Sequence, residues 1–154
     1  MKNKALIYII SITSLMLIKC ESYQTEHSLI VDCPELRTIG GITTLNDIPF
    51  TGSCYVYQDF IIYEVKSFNN GVPHGIHKRY YYPSDALDYV GYRKKGHIHG
   101  PYTKYHPNGN IAATGQFRKG LYRGKWKYYD EEGNLLEERD YGRAGNVTDT
   151  TIIK

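Results

Sequence analysis

The chain has 154 residues, 41% of them hydrophobic, and carries 19 Lys and Arg against 16 Asp and Glu for a formal charge of +3 at pH 7. That length is one domain's worth, and the whole charge excess lies in Lys2, Lys4 and Lys19, so the rest is balanced and a general nucleic-acid-binding role loses its first support. The aromatics are mostly tyrosine, 16 against four Phe and one Trp, which suits a thin sheet wet on one side and not a thick dry core.

Met1 to Cys20 has the parts of an export signal: basic Lys2 and Lys4, an apolar run from Ala5 to Ile18, then Lys19-Cys20. The run is too short to span a bilayer, which needs about 20 apolar residues. A cysteine directly after it resembles the lipobox of bacterial lipoproteins, which implies cleavage before Cys20, a lipid on its thiol and a membrane-anchored place in the cell envelope, periplasmic or surface-exposed. Ordinary cleavage or an uncleaved anchor are the alternatives. With Cys20 modified, Cys33 and Cys54 remain as a candidate disulfide in an oxidising compartment, or as two buried thiols that never meet.

Residues 21–49 read as a polar tether followed by an N-terminal cap. Leu29-Ile30-Val31 and Ile39 to Leu45 are candidate short strands, with Gly40-Gly41 as a bend between them.

From residue 50 to 145 the chain repeats itself. Gly71-Val-Pro-His-Gly75, Gly96-His-Ile-His-Gly100 and Gly120-Leu-Tyr-Arg-Gly124, with the earlier Gly52, recur every 23 to 25 residues, a period that marks stacked supersecondary units. Each unit reads as a strand, a tight turn and a second strand, with the glycine pair as the link to the next. The third is clearest: Tyr102 to His106, the turn Pro107-Asn108-Gly109, and Asn110 to Phe117. The fourth runs from Lys125 to Tyr141 around Asp130-Glu131-Glu132-Gly133, with no following strand expected from the 146–154 tail. The second turns at Pro83-Ser84-Asp85 and the first near Gln58-Asp59. Five residues after the second glycine stand Tyr57, Tyr80, Tyr105 and Tyr129; two after it stand Cys54, His77, Tyr102 and Trp126. Stacked hairpins turn such columns into cross-strand ladders.

The pattern Gly-x-x-His-Gly-x-aromatic-x-x-Tyr followed by an Asn-Gly turn resembles the MORN-type repeat, in the bacterial variant of YwqK-type antitoxin-like proteins. The resemblance covers roughly residues 50–145. It implies an all-β fold, an elongated twisted antiparallel sheet of tandem β-hairpins, to which the short cap and cleaved signal helix read above are added, and it implies recognition of protein or lipid, not catalysis.

Charge is sorted along the chain. Eleven bases (Lys78, Arg79, Arg93, Lys94, Lys95, Lys104, Arg118, Lys119, Arg123, Lys125 and Lys127) lie between Gly75 and Lys127 against two acids, Asp85 and Asp88. Residues 21–70 and 130–140 are acidic. Lysine on exposed strands can simply deter edge-to-edge association, but this imbalance points to a face pairing cations with aromatic platforms, built from Tyr80, Arg93, Lys94, Lys95, Tyr102, Lys104, Tyr105, Arg118, Lys119, Arg123, Trp126 and Tyr129. Its expected partner is a protein or an anionic surface.

His74, His77, His97 and His99 invite a metal, but His74 and His99 fill one motif slot, and the basic surroundings offer few further ligands. No nucleophile beside a base, no separated carboxylate pair and no phosphate-cradling loop stands out, so neither catalysis nor a cofactor is expected. The leading reading is an exported, non-enzymatic binding module with an antitoxin- or immunity-like role. The alternative is an envelope structural protein whose basic face lies on anionic headgroups or cell-wall polymer.

Overall fold

Three tight turns carry the first glycine of each pair. Asn70-Gly71, Lys95-Gly96 and Lys119-Gly120 have positive φ at both positions (48° and 74°, 52° and 82°, 53° and 85°), the two-residue hairpin geometry whose twist matches the strands it joins. In the computed structural model, which describes residues 29–143 and 145–153, these turns help build an all-β molecule; the signal segment and Cys20 lie outside the described residues. The strands are β1 (Leu29–Asp32), β2 (Arg37–Ile39), β3 (Ile42–Leu45), β4 (Ile48–Pro49), β5 (Gly52–Gln58), β6 (Ile61–Asn69), β7 (Val72–Tyr80), β8 (Leu87–Lys94), β9 (His97–Tyr105), β10 (Ile111–Arg118), β11 (Leu121–Tyr129), β12 (Leu135–Asp140) and β13 (Asp149–Ile152), with one 3₁₀ turn at Cys33–Glu35. Ten strands form an open sheet in the order β1-β5-β6-β7-β8-β9-β10-β11-β12-β13, and β2-β3-β4 form a small second sheet.

The second glycine of each pair does not link hairpins, as the sequence suggests, but lies inside a strand. Gly75, Gly100 and Gly124 sit in β7, β9 and β11 with φ of 97°, 88° and 59°. At each, the register slips: Pro73 to His77 oppose Phe68 to Lys66, Ile98 to Tyr102 oppose Arg93 to Gly91, and Arg123 to Lys127 oppose Gln116 to Thr114. The surplus residues bend the strand at the same place in every unit, and the left-handed backbone there is one that residues with a Cβ avoid. A second set of bulges leaves Tyr63, Asp88, Ala112 and Leu136 without a ladder partner near the opposite strand ends.

Neighbouring units are stitched at both ends. At the glycine end, the N–H groups of Gly71, Gly96 and Gly120 donate to the carbonyls of Phe50, Pro73 and Ile98 at 2.8 to 2.9 Å. At the other end, Tyr81 Oη donates to the Tyr105 carbonyl at 2.7 Å, His106 Nε2 to that of Tyr129 at 2.9 Å, and Asn108 Nδ2 to that of Glu131 at 2.7 Å. Backbone groups that a lone hairpin would leave to water are used to fix each unit to the next.

Residues directly opposite across a ladder project from the same side of the sheet. One side carries the core: Trp126 (2% exposed), Ala113 and Tyr141, with Tyr102, Phe117 and Tyr128 packed on them. Ring centroids of Trp126 lie 4.6 Å from Tyr122 and 4.9 Å from Phe117. Glycine makes the room, since a Cβ on Gly115 would meet the indole at 2.3 Å and one on Gly91 would meet the Tyr102 ring at 2.9 Å.

The cap is a three-stranded meander, with Gly40-Gly41 as the turn between β2 and β3, so the stretch from Ile39 to Leu45 is split rather than one strand. It docks on the first glycine turn: Thr43 N–H donates to the Gly71 carbonyl at 2.8 Å, and buried Phe50 packs on Phe68 at 5.9 Å. β1 adds in parallel to β5, and Cys33 is bonded to Cys54 with Cα atoms 4.9 Å apart. At the far edge, the expectation of a fourth unit without a partner strand is corrected. β13 from the tail pairs antiparallel with β12, from Glu137↔Ile152 to Asp140↔Asp149.

Candidate binding surface

Because every strand from β5 to β12 runs from one row of turns to the other, the turns fall into two lines at opposite ends of the strands. Nine-residue strands such as β7, β9 and β11 separate these lines by about 30 Å. The glycine row and the strand ends that reach it hold Lys94, Lys95, Arg118, Lys119, Arg123 and Arg143. The opposite row holds Asp59, Asp85, Asp130, Glu131 and Glu132. The strand ends temper this contrast, with Asp140 and Asp149 at the glycine row and Arg79, Lys104 and Lys127 at the other, but the turns themselves are basic in one row (Lys95, Lys119, Arg143) and acidic in the other. Among the described residues no carboxylate pairs with any of the six bases at the glycine row, and Arg123 Nη1 donates only to the Arg143 carbonyl at 3.1 Å.

The bases do not form one strip on one face, as the sequence reading expects. Arg79, Arg93 and Lys104 project from the core side, Lys78, Lys125 and Lys127 from the other side, and the rest from the turn row. Several are already occupied. Arg79 Nε donates to Asp88 at 2.8 Å, Lys104 Nζ lies 3.8 Å from the same carboxylate, and Lys125 Nζ is 2.6 Å from Glu138. The aromatic columns part company too. Tyr57, Tyr80, Tyr105 and Tyr129 stand an odd number of residues from the core column and take the opposite side of the sheet. Trp126, expected as a contact residue, is 2% exposed and belongs to the core, and burial pushes the half-buried Tyr102 phenol up to about 12.

The histidines separate as well. His77 is buried, His97 is exposed, and the amide of Lys119 donates to His99 Nδ1 at 3.4 Å. No cluster of three or more metal-ligating side chains occurs among the described residues.

The sequence reading missed the polar cluster around His77. Arg93 Nε donates to His77 Nδ1 at 3.2 Å, which leaves Nε2–H to donate to Glu64 Oε1 at 2.6 Å. Lys66 Nζ closes on the other Glu64 oxygen at 2.7 Å. Burial alone would raise the Glu64 pKa, but the hydrogen bonds from His77 and Lys66 outweigh it and hold the carboxyl at about 2.

Residues 98–119 and 122–141 match the MORN repeat variant family. Over this stretch the chain is similar to two successive MORN-variant repeats. The two matches coincide with β9–β10 and β11–β12, one hairpin each. No curated protein matches the chain. Two solved structures are similar at a distance: accessory secretory protein 1, 2 and 3 of Streptococcus pneumoniae, with 11% identity over 85% of this chain and a TM-score of 0.39, and the glycosylation-associated Gap123 complex of Streptococcus agalactiae, with 12% identity over 84% and a TM-score of 0.39. This chain spans only 22% of the length of each.

Proposed function

We propose that this chain is a non-enzymatic binding module that engages a protein partner through its basic row of turns, in an antitoxin- or immunity-like role. The observation that carries this is the row of unpaired cations at one strand end, about 30 Å from the acids at the other. A Debye length of about 8 Å at physiological salt means that a partner approaching the basic row does not sense the distant acids, so near-neutrality overall is no bar to an acidic partner.

The one histidine–carboxylate pair among the described residues supports binding over catalysis. The imidazole lone pair on Nδ1 of His77 already accepts from Arg93, so the ring has no free base to offer a substrate. The MORN-variant repeats support the same reading, as repeating hairpins create an extended surface without enclosing a reaction site.

Export and a lipid on Cys20 complete the proposal. They place the sheet at a membrane surface within the cell envelope, tethered by residues 21–28. Anionic headgroups or cell-wall polymer offer the rival occupant, because a row of cations also attracts an anionic surface. The two are told apart by binding the full chain to immobilised envelope extract and, separately, to anionic vesicles while salt is raised. A single stoichiometric protein retained in high salt is the expected result; binding only to vesicles, released as salt rises, overturns it.

A further inference from the structure

One unit breaks the repeat pattern in a concerted way. The core column of Phe68, Phe117 and Tyr141 has Arg93 in the second unit, 24 or 25 residues from its neighbours. The column of Tyr102 and Trp126 has His77 there. Both departures meet in space, 3.2 Å apart. Where the later units pack rings edge to face, this unit leaves a cleft of about 250 Å³ lined by Glu64, Lys66, Phe68, Pro73, His77 and Arg93. Positions that break a locally consistent pattern are where function is expected.

The chemistry of the cleft narrows the ligand. Lys66 and Arg93 face the single carboxylate of Glu64, so the cleft carries an excess of positive charge, while both His77 nitrogens are engaged, Nδ1 by Arg93 and Nε2 by Glu64. Arg93 uses Nε on His77 and Nη1 on the Gly96 carbonyl at 3.1 Å, leaving Nη2 without a partner among the described residues. Phe68 and Pro73 supply an apolar wall beside these donors. The volume is below the range of roughly 300 to 1,000 Å³ usual for cofactor and small-molecule sites, and it suits one side chain. A carboxylate on a short apolar stem satisfies both the charge and the wall.

We propose that this cleft is a specificity pocket that receives one acidic side chain, Glu or Asp, from the protein partner. It deepens the binding-module reading and rests on it. A guanidinium donor facing a carboxylate gives a charge-assisted bond stronger than a neutral one, so the pocket selects residue type at one position while the basic row supplies long-range attraction.

The test uses the full chain and N-acetyl-glutamate α-amide as probe, followed by NMR at the His77 imidazole and the Arg93 Nε–H, with N-acetyl-glutamine α-amide and inorganic phosphate as comparisons. The glutamate probe is expected to shift both resonances and the glutamine probe neither. Arg93→Gln should weaken the glutamate probe by about tenfold or more, as expected for a lost charged hydrogen bond. Arg93→Phe, which restores the residue type of the other units, should keep the amide spectrum of a folded sheet and abolish binding. No shift with the glutamate probe, equal shifts with the glutamine probe or with phosphate, or unchanged affinity in a folded Arg93 variant would each overturn the pocket. Because no partner is needed, failure here is distinguishable from failure of the basic row to capture one.

Discussion

The indole of Trp126 lies flat against Gly115 on the neighbouring strand, so close that an added Cβ would stand 2.3 Å from Cδ2 and Cε2. Trp126 Nε1 donates to the Gln116 carbonyl at 3.0 Å, which fixes the ring in that position. Glycine in a strand ordinarily weakens it relative to alanine. Here the sign reverses. Gly115→Ala should destabilise the protein by about 2 kcal/mol through overpacking, and Gly91→Ala by less, since its nearest Tyr102 carbon is 2.9 Å away. Equilibrium denaturation of the two variants checks the order.

Asp88 is 5% exposed and takes the place that Ala112 and Leu136 hold in later units. Its Oδ2 accepts from Arg79, while Oδ1 has no hydrogen-bond partner. Removing the carboxylate alone, in Asp88→Ala, strands Arg79 and should cost about 2 kcal/mol. Replacing both groups, as Arg79→Met with Asp88→Leu, should return stability to within about 1 kcal/mol of the wild type. A double-mutant cycle by denaturation supplies the comparison.

Acid sensitivity follows from Glu64. Its carboxyl is held at about 2 in the folded protein against an ordinary 4.5. A depressed carboxyl stabilises the fold above the unfolded value and loses that contribution as pH falls through the folded one. The stability gap between wild type and Glu64→Gln should therefore be constant above about pH 5 and shrink steadily toward pH 2. Urea midpoints across this range report it, and a gap that persists at pH 2 contradicts the assignment.

Reducing the Cys33–Cys54 bond opens a loop closed over a separation of 21 residues. The chain-entropy estimate for that length is about 3 kcal/mol. The loss should fall on the edge where β1 pairs with β5, so amides of Ser53 and Tyr55 should exchange faster on reduction while those of β9 to β12 do not.

Much of the fold could be read from the chain because local signals and tertiary structure agree. Pro107-Asn108-Gly109 turns between β9 and β10, the glycine pairs mark equivalent points in each unit, and the column ending in Trp126 lies on the core side. What escaped depends on contacts distant in sequence. The parallel pairing of β1 and the pairing of β13 join short strands with no pattern of their own to residues chosen by the finished sheet. The cationic strip failed for a different reason. Side chains alternate along a strand, so neighbours such as Lys78 and Arg79 face opposite sides, while Lys94, Lys95, Arg118 and Lys119 fall at the turns, and a count of charge along the chain registers neither. His77 stood in an aligned column, and Arg93 stands three residues before Gly96 as Phe68 and Phe117 do before Gly71 and Gly120, but only the pairing of β7 with β8 brings the two departures together.

The basic row is tested most directly by reversing it. Lys94, Lys95, Lys119 and Arg123 changed together to Glu leave the Trp126 core and the glycine turns in place, and a Trp126 emission spectrum matching the wild type confirms folding. Affinity capture from the cell envelope should then lose the partner that the unaltered protein retains. Capture of the same partner at undiminished yield by the folded, reversed protein would contradict the claim that this row is the recognition surface.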